Sequence, residues 1–272
     1  MKDSAAEGRL SRQRERQRAI AADVMADGSM RIEAIAEKYG ISLMTAHRDL
    51  DALVARGIVR KTRGVVTATS SSLVEASYLF RRGRQQAEKA ALARAACALI
   101  EPGHSVILDD STTTLHLTSL ITGKTPLTVI TNFLPIVEEL SGEPDITLIS
   151  LGGTYYSWAN SFLGHMTVAA LRDLRADIAV ISTSAITDDI CFHQTQETVD
   201  TKRAMLDSAA TRLLIVDHTK FQRRALHALA PLTEFDHVIV DWNTPDEHVD
   251  RLRRAGVAVT VAQPAPRTRD RR

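Results

Sequence analysis

The sequence predicts a small winged helix-turn-helix domain followed by an α/β domain with an open, mostly parallel sheet. Residues 12–69 show three short helical patterns and then a hairpin pattern. Beyond residue 103, short apolar strands alternate with helical segments, as in parallel α/β sheets. Positive charge is concentrated at the front: residues 1–90 carry 17 Lys and Arg against 11 Asp and Glu, whereas the 272-residue chain has a net charge of only +1. A basic front segment indicates a polyanion-binding module, although a solvated basic face gives the same pattern.

Composition excludes several classes of protein. Hydrophobic residues make up 44% and charged residues 25% of the chain, as in globular proteins with a core. Apolar runs are too short to cross a bilayer, and the N-terminus lacks the apolar core of a secretory signal, so we expect a cytoplasmic protein without membrane contact. Cys97 and Cys191 are isolated, and the nine histidines lack metal-ligand spacing. We therefore expect no metal and no cofactor.

The predicted boundaries follow from these patterns. They are a basic, disordered arm (1–11), the winged helix-turn-helix (12–69), a linker and connecting helix (70–102), the α/β domain (103–262) and a disordered tail (263–272). Within the first domain the predicted helices are Arg12–Ala26, Ile32–Tyr39 and a third helix capped by Ser42 and ending near Arg56. Ile58–Lys61 and Val65–Ala68 form the predicted hairpin.

The third helix has the pattern of a DNA-recognition helix. Ala46, Leu50 and Leu53 have the spacing of a core face, which leaves the remaining side chains outward. A recognition helix contacts base edges and phosphates from its first turns, and arginines in a wing contact the backbone or minor groove. The predicted DNA-contacting residues are Ser42, Leu43, Met44, Thr45, His47, Arg48, Arg60, Lys61 and Arg63. The alternative is an all-helical interaction domain with a charged face.

The segment Ile41–Leu50, ISLMTAHRDL, resembles the recognition helix VSxxTIRRDL of the DeoR family of bacterial sugar-metabolism regulators. His47 replaces the first arginine of that pattern. In the family's wing, RxHGG, Arg63 replaces the histidine and Val65 the second glycine. The resemblance implies that the partner is a double-stranded DNA operator. Because His47 and Arg63 replace family residues, we expect the operator sequence, or the pH dependence of operator binding, to differ from that of relatives.

Seven strands and five helices are predicted in the second domain, after an alanine-rich helical stretch from Leu73 to Ile100. The strands are Ser105–Leu108, Leu127–Ile130, Ile146–Leu151, Ile178–Ser182, Leu213–Val216, His237–Val240 and Ala258–Val261. The helices are Thr112–Ile121, Leu134–Leu140, Met166–Leu174, Val199–Ala210 and Pro245–Ala255.

Polar residues follow several of these strands, where ligands bind in open α/β sheets. Hydroxyl side chains that open a helix after a strand form a natural anion site, because the helix N-terminus favours negative charge. The predicted ligand-binding residues are Asp109, Asp110, Ser111, Thr112, Thr113, Thr114, Thr131, Asn132, Gly152, Gly153, Glu197, Lys202, Asp217 and Lys220. Ordinary alternatives are a helix cap at Thr131–Asn132, turn glycines at Gly152–Gly153 and a solvated Lys202.

The DeoR resemblance extends from Leu73 to Val261. Asp109–Thr114 is similar to the family's DSGTTT loop, Glu197 and Lys202 fall in an EAxxKR pattern, and Asp217–Phe221 matches DxSKF. The resemblance implies a fold like ribose-5-phosphate isomerase, in which this loop holds a sugar phosphate. Asp110 replaces a serine and would repel a phosphate. It therefore points away, pairs with Lys202 or Lys220, or marks a ligand that is polyhydroxylated rather than phosphorylated.

Three functions remain open from the sequence. The leading hypothesis is a repressor, assembled as a dimer or tetramer, whose operator affinity changes when a sugar phosphate or related metabolite binds. The second is a sugar-phosphate isomerase-like enzyme that uses Asp109, Glu197 and Lys202 for acid–base chemistry. The third is a DNA-binding scaffold with a ligand-free oligomerisation domain. A DNA-binding domain fused to a polar strand-end cluster favours the first hypothesis.

Overall fold

The computed structural model describes residues 12–13, 15–17, 19–21, 23–24, 27–55, 58–68 and 77–265, without the side chain of residue 79. The predicted arm, residue 69 at the end of the predicted winged helix-turn-helix, residues 70–76 of the linker and residues 266–272 of the tail lie outside this part, as do Ala26 and Arg56 at the ends of two predicted helices. The chain divides into two compact units, Met1–Arg84 and Gln85–Arg272.

The first unit contains three helices and a small antiparallel sheet. Helix α1 comprises the described residues within 12–27, all of which are helical. The other elements are α2 (Ile32–Lys38), α3 (Leu43–Ala55), β1 (Ser29–Arg31), β2 (Val59–Thr62) and β3 (Val65–Ala68), with sheet order β1-β3-β2. The predicted helices and hairpin are confirmed, and β1 is an addition. Arg63 and Gly64 connect β2 and β3 with φ of 47° and 79°, the backbone of a tight hairpin turn.

Packing of α3 follows the predicted pattern. Ala46, Leu50 and Leu53 are at most 1% exposed and belong to the core of the unit. The hydroxyl of Ser42 accepts a hydrogen bond from the backbone N–H of Thr45 (3.2 Å), as an N-cap does, because the first turn of a helix has no internal acceptors. The outward face of α3 is therefore fixed by the core beneath it.

The predicted single stretch from Leu73 to Ile100 is wrong. Its described part forms two helices, α4 (Tyr78–Arg82) and α5 (Gln86–Cys97). Gln85 between them has a left-handed φ of 52°, which interrupts the helical backbone. The alanine-rich part of the stretch begins only at Ala87, and Gly83 is the C-cap of α4. Helix α5, which the sequence assigned to the connecting segment, packs on three strands of the second unit: 209–216, 237–241 and 258–262.

A seven-stranded parallel sheet forms the centre of the second unit. Its strands are β4 (Ser105–Leu108), β5 (Leu127–Thr131), β6 (Ile146–Ser150), β9 (Ala176–Ile181), β12 (Ala209–Val216), β14 (His237–Asp241) and β15 (Ala258–Ala262). All seven predicted strands are confirmed. Their order in the sheet is β15-β14-β12-β9-β4-β5-β6, and all six pairings are parallel. The chain winds outward in both directions from β4, so the topological switch point lies between β4 and β9.

Helices flank the sheet. They are α6 (Thr118–Ile121), α7 (Leu134–Leu140), α8 (His165–Arg172), α9 (Gln196–Asp207) and α10 (Asp246–Arg254), with 3-10 turns at Thr114–Leu117, Thr122–Lys124, His218–Gln222 and Leu232–Glu234. The predicted helix over 112–121 is instead a 3-10 turn followed by one short α-turn. The hydroxyls of its first residues bond to one another and to Asp109, which holds the backbone in tighter turns.

Two antiparallel additions were not predicted. One is the hairpin of β7 (Thr154–Tyr156) and β8 (Ser161–Leu163). The other is a sheet with order β10-β11-β13, formed by β10 (Ala185–Thr187), β11 (Ile190–His193) and β13 (His227–Pro231). The hairpin follows β6, β10 follows β9, and β13 follows β12. These segments therefore leave the main sheet at its carboxyl edge.

Candidate functional site

The outward face of α3 carries the predicted DNA-contacting residues. Met44 is 83% and Leu43 is 49% exposed, which is unusual for large apolar side chains. Thr45 is partly exposed, and its hydroxyl lies 2.9 Å from that of Ser42. His47 and Arg48 are exposed on the same helix. These residues together form a continuous surface at the start of α3.

The wing is tied to α3 through Lys61. Its Nζ donates to Asp51 (2.7 Å) and lies 3.1 Å from His47 Nδ1. Arg60 is exposed on β2, and Arg63 is exposed at the hairpin tip. Lys61 is a predicted DNA contact, and the structure shows that it also has a carboxylate partner, Asp51. The sequence did not indicate this pairing.

Asp49 is a buried charged residue of α3 that the sequence pattern did not single out. It is fully buried and accepts hydrogen bonds from Arg16 Nε (2.7 Å), Gln17 Nε2 (2.9 Å) and Gln13 Nε2 (3.2 Å). Burial by itself would raise the pKa of Asp49, but the bonds from Arg16, Gln17 and Gln13 outweigh it and lower that pKa. The signal was available: Asp49 lies three residues after Ala46, on the core face. This carboxylate fixes α3 against α1.

The second site lies where β4 and β9 end. Asp109, directly after β4, is fully buried. One of its carboxylate oxygens accepts from the backbone N–H of Ser111 (3.1 Å) and from the hydroxyl of Thr114 (2.9 Å). The other accepts from the backbone N–H of Ser182 (2.7 Å) and from Lys202 Nζ. Asp109 thereby joins the loop after β4, the end of β9 and helix α9.

Lys202 is buried and bridges two carboxylates. It contacts Asp109, lies 3.1 Å from Asp110 Oδ1, and donates to the carbonyl of Ser182 (3.1 Å). Burial alone would lower the pKa of Lys202, but Asp109 and Asp110 outweigh it and raise that pKa. Of the alternatives for Asp110, the structure thus shows the pairing with Lys202, and the solvated alternative for Lys202 is wrong.

The hydroxyl loop after β4 is bonded mainly to itself. Ser111 Oγ accepts from the N–H of Thr114 (3.0 Å) and lies 3.0 Å from Thr114 Oγ1. Thr112 and Thr113 are buried beside them. The predicted loop residues are therefore brought together with Lys202.

The end of β5 adds two polar side chains to the same edge of the sheet. Thr131 pairs with Leu108 across the sheet, which places Asn132 beside Asp109. Thr131 Oγ1 accepts from the N–H of Phe133 (3.1 Å), a local turn rather than a side-chain cap of α7. Asn132 Nδ2 donates to the carbonyl of Phe162 in the β7–β8 hairpin (2.8 Å).

Gly153 has a steric role at the start of that hairpin. Its φ is +148°, and a Cβ there would lie 2.2 Å from Thr167 Oγ1 and 2.9 Å from the carbonyl oxygen of Leu163. The Thr167 hydroxyl donates to the carbonyl of Gly152 (2.7 Å). Only glycine permits this close approach of backbone and side chain. At Gly152, by contrast, a Cβ would meet nothing within 4 Å.

A second polar cluster follows β12. Asp217 is buried, accepts from the backbone N–H of Thr219 (3.0 Å), and lies 3.9 Å from the buried Lys220. Burial by itself would raise the pKa of Asp217, but Lys220 and Thr219 outweigh it and hold that pKa below its ordinary value. Asp241, at the end of β14, is fully buried and accepts from the ring of His218 (3.1 Å). Asp217 and Lys220 are predicted ligand residues, whereas Asp241 and His218 were not among them.

Glu197 is the exception among the predicted ligand residues. It is exposed near the start of α9 and lines a cavity of about 700 Å³ between α8 and α9, together with Arg172, Arg175 and Arg203. Lys202 faces the strand-end cluster instead. Among the described residues, no group of three or more His, Cys, Asp and Glu side chains could hold a metal ion. Among these residues we also find no helix with the length and apolar character needed to cross a membrane.

Comparison with known families covers both units. Residues 16–72 match the family model described as the DeoR-like helix-turn-helix domain. Residues 84–242, more than half of the chain, match the model described as the DeoR C terminal sensor domain. The chain belongs to the DeoR family. The resemblance predicted from the recognition helix and the strand-end loop is confirmed.

Relatives of this DeoR-family chain match it over most of their length. The lactose phosphotransferase system repressor of Lactococcus lactis subsp. lactis is 31% identical over 230 residues, 83% of this chain and 90% of the relative. The glycerol-3-phosphate regulon repressor of Escherichia coli (strain K12) is 27% identical over 239 residues, which are 86% of this chain and 93% of that relative. Because its relatives are transcriptional repressors, the DeoR-family chain is a transcription regulator rather than an enzyme.

Solved structures give weaker likenesses. Ribose 5-phosphate isomerase A from Methanocaldococcus jannaschii is 13% identical, with a TM-score of 0.36 over 49% of this chain and 53% of the isomerase. The eIF2B delta subunit from Chaetomium thermophilum is 14% identical, with a TM-score of 0.43 over 76% of this chain and 74% of that subunit. These scores are too low to support an argument about function.

Proposed function

We propose that this regulator represses a carbohydrate-metabolism operon and that a sugar metabolite bound at the carboxyl edge of the main sheet changes its operator affinity. The observation that carries the proposal is the buried polar cluster at the switch point between β4 and β9. In open α/β sheets this crevice is the ordinary ligand site. Relatives named for lactose and glycerol-3-phosphate systems support a sugar-derived effector.

DNA contact is assigned to α3 and the wing. Leu43, Met44, His47 and Arg48 would face base edges, and Ser42 and Thr45 would face the backbone beside them. Arg60, Lys61 and Arg63 of the hairpin would contact phosphates or the minor groove. The exposure of Met44 supports this assignment, because an exposed apolar side chain on a recognition helix can contact thymine methyl groups.

Assembly follows from the geometry of operators. Two helix-turn-helix units related by a two-fold axis would contact repeated half-sites one helical turn apart, so we propose a dimer or tetramer. Effector binding then alters repression only if the DNA-competent and DNA-incompetent states bind the effector with different affinity. Such a regulator would act in the cytoplasm, on the chromosome.

The decisive experiment is a gel shift with the DNA upstream of the chain's own operon, with and without a panel of sugars and sugar phosphates. We expect specific retardation that at least one sugar weakens or strengthens. Arg48→Ala should reduce operator affinity at least tenfold, whereas Lys38→Ala, which removes the same charge from α2, should change it less than threefold. Lys38 is exposed, as Arg48 is, and is not among the predicted DNA-contacting residues, so it controls for the loss of a positive charge. Absence of specific binding at any sugar concentration would overturn the proposal.

A further inference from the structure

The groove between α8 and α9, with a volume of about 700 Å³, has a defined direction. Both helices lead into neighbouring parallel strands, α8 into β9 and α9 into β12, so they run side by side in the same sense. The hydroxyl of Ser208, directly after α9, donates to the carbonyl of Leu171 near the end of α8 (2.7 Å). One end of the groove therefore lies at the helix starts and the other at the helix ends.

Charges of opposite sign line the two ends. Glu197 and Asp200 lie in the first turns of α9, which makes the start of the groove acidic. Arg172 is the last residue of α8 and Arg175 follows just beyond it, which makes the other end basic. The Nη1 of Arg175 donates to the carbonyl of Arg172 (3.0 Å), so both arginines stay at this end.

The remaining charged side chains do not remove this separation. Arg203, near the end of α9, is paired with Asp207 (3.2 Å) and with Glu234 (2.6 Å). Three arginines and three carboxylates therefore line the groove, so the formal charge of its lining is zero. A ligand with only one sign of charge would be attracted at one end and repelled at the other.

Two of these charges have no counter-charge in their own chain. Among the described residues, the side chains of Arg172 and Glu197 take part in no ion pair and no hydrogen bond, and both are exposed. Glu197 belongs to the same sequence pattern as Lys202, but Lys202 contacts the buried Asp109 whereas Glu197 faces the groove. The pattern therefore serves two different surfaces of α9.

Apolar side chains complete the surface. Val168 and Ala204 line the groove together with the charged residues. On α8, Met166 is 60% exposed, and Ala169 and Ala170 are exposed beside it. An apolar centre with a charged rim is the anatomy of a protein–protein interface, in which methionine is enriched.

We propose that the groove between α8 and α9 is a dimer interface, occupied by the same surface of a second copy of the chain. A two-fold axis that crosses the groove between its ends places the basic end of each protomer against the acidic end of its partner. Arg172 of one protomer then faces Glu197 of the other, and this pairing occurs twice in the dimer. The inference rests on the proposed function, which requires two DNA-binding units on repeated half-sites, and it specifies the surface that joins them.

The first test measures the assembly of the full chain by sedimentation equilibrium over a range of concentrations. Arg172→Glu or Glu197→Arg should raise the dissociation constant of the dimer at least tenfold, because each reversal replaces two attractions by two repulsions. Arg172→Gln and Glu197→Gln, which only remove the charge, should raise it less and serve if a reversed variant does not fold. Arg254→Glu and Asp145→Arg, at exposed positions outside the groove, should leave it within twofold.

The outcomes separate this inference from the proposed function. A wild-type assembly that neither reversal weakens shows that the groove has another occupant, and it overturns the inference alone. A wild type that stays monomeric at every concentration overturns the inference together with the proposed dimer or tetramer. The gel shift with sugars tests operator binding and effector response independently of both results.

The second test mixes the two reversed variants. Arg172→Glu and Glu197→Arg each place like charges at both contacts of their own dimer, but a mixed dimer joins opposite charges at both. We expect native mass spectrometry to detect the mixed dimer at concentrations where each variant alone is dissociated. Because charges of these signs also stabilise helix ends, each variant alone can lose stability, but mixing cannot restore that loss. Absence of the mixed dimer, or an equal yield with Arg254→Glu in place of Arg172→Glu, overturns the proposal.

Discussion

Asp49 is a charged residue at a core position of the DNA-binding unit. Three donors from α1 converge on its carboxylate: Arg16, Gln17 and Gln13. Charged residues are rarely buried unless paired, and removing one partner leaves the others unsatisfied. Asp49 therefore links the orientation of α3 to α1.

We predict that Asp49→Asn destabilises α3 by about 1–3 kcal/mol, because an amide cannot accept from three donors as a carboxylate does. Native-state hydrogen exchange of the amides of Leu43–Ala55 measures this local free energy. Asp51→Asn, an exposed change two residues later, is the matched control and should cost less than about 1 kcal/mol. Equal protection in the two variants would contradict the role of Asp49.

The same residue gives a pH dependence. Because the pKa of Asp49 is lowered in the folded state, its contribution to stability is complete above its unfolded pKa, near 4. The contribution is lost as pH falls from there through the folded pKa. Exchange protection of α3 should fall over this range in the wild type and more weakly in Asp49→Asn. A protection profile that is the same in both proteins would rule this out.

At Gly153 we predict that alanine destabilises the second unit by roughly 2–4 kcal/mol, since its Cβ would overlap Thr167 and the carbonyl of Leu163. Gly152→Ala, where a Cβ meets nothing within 4 Å, should change stability by less than about 1 kcal/mol. Both tryptophans, Trp158 and Trp242, belong to this unit, so urea unfolding followed by tryptophan fluorescence reports on it. Similar midpoints for the two variants would refute the steric argument.

Among the elements, α3 and the hairpin of β2 and β3 share a charge pair, Asp51 with Lys61, that we expect to oppose DNA binding. Asp51 neutralises Lys61 on the proposed DNA face. We predict that Asp51→Asn raises operator affinity two- to tenfold at low salt, with a smaller gain at high salt, because a competing carboxylate is removed. Fluorescence anisotropy at several salt concentrations measures this. Asp145→Asn, an exposed carboxylate of the second unit, should give no gain; a gain there would indicate a net-charge effect instead.

Regular elements were the most predictable part of the fold. The seven main strands are buried apolar runs between helices, and their length and β-branched residues identify them. The hairpin β7–β8 and the sheet β10-β11-β13 were missed because their strands are only three to five residues long and carry no strict alternation. The break before Gln85 was missed although Gly83, a common helix-ending residue, directly follows α4. The left-handed backbone of Gln85 itself has no sequence signal, because an ordinary residue adopts it.

Site residues were predictable where they directly follow a strand. Asp109, Thr131, Asn132 and Asp217 could be placed at one edge because parallel strands end together. Glu197 was assigned by its motif, which does not show which face of a helix a residue occupies. Ser182 was missed as a site residue because it acts through its backbone N–H and carbonyl, which any residue possesses.

At the scale of the whole molecule, the proposed function requires that effector binding and operator binding be thermodynamically linked. A substitution can weaken effector binding equally in the DNA-competent and DNA-incompetent states. It then leaves the equilibrium between these two states, in the absence of effector, unchanged. We predict that Thr113→Val shifts the sugar concentration for half-maximal response at least fivefold while operator affinity without sugar stays within twofold. Operator titrations at increasing sugar concentration measure both quantities. Thr147→Val, at an exposed strand position, should change neither, and a loss of unliganded binding in Thr113→Val would contradict the separation of roles.

The strand order also determines when each unit can form during synthesis. The first unit closes through contacts within the first 84 residues, whereas β4 must pair with β9, and Ser105 and Asp177 lie 72 positions apart. Long-range pairing slows folding, and translation at about 5–20 residues per second needs roughly 10–40 s to complete the remaining chain. Each new chain therefore completes its DNA-binding unit before its sheet can close, and the proposed regulation begins only after that delay.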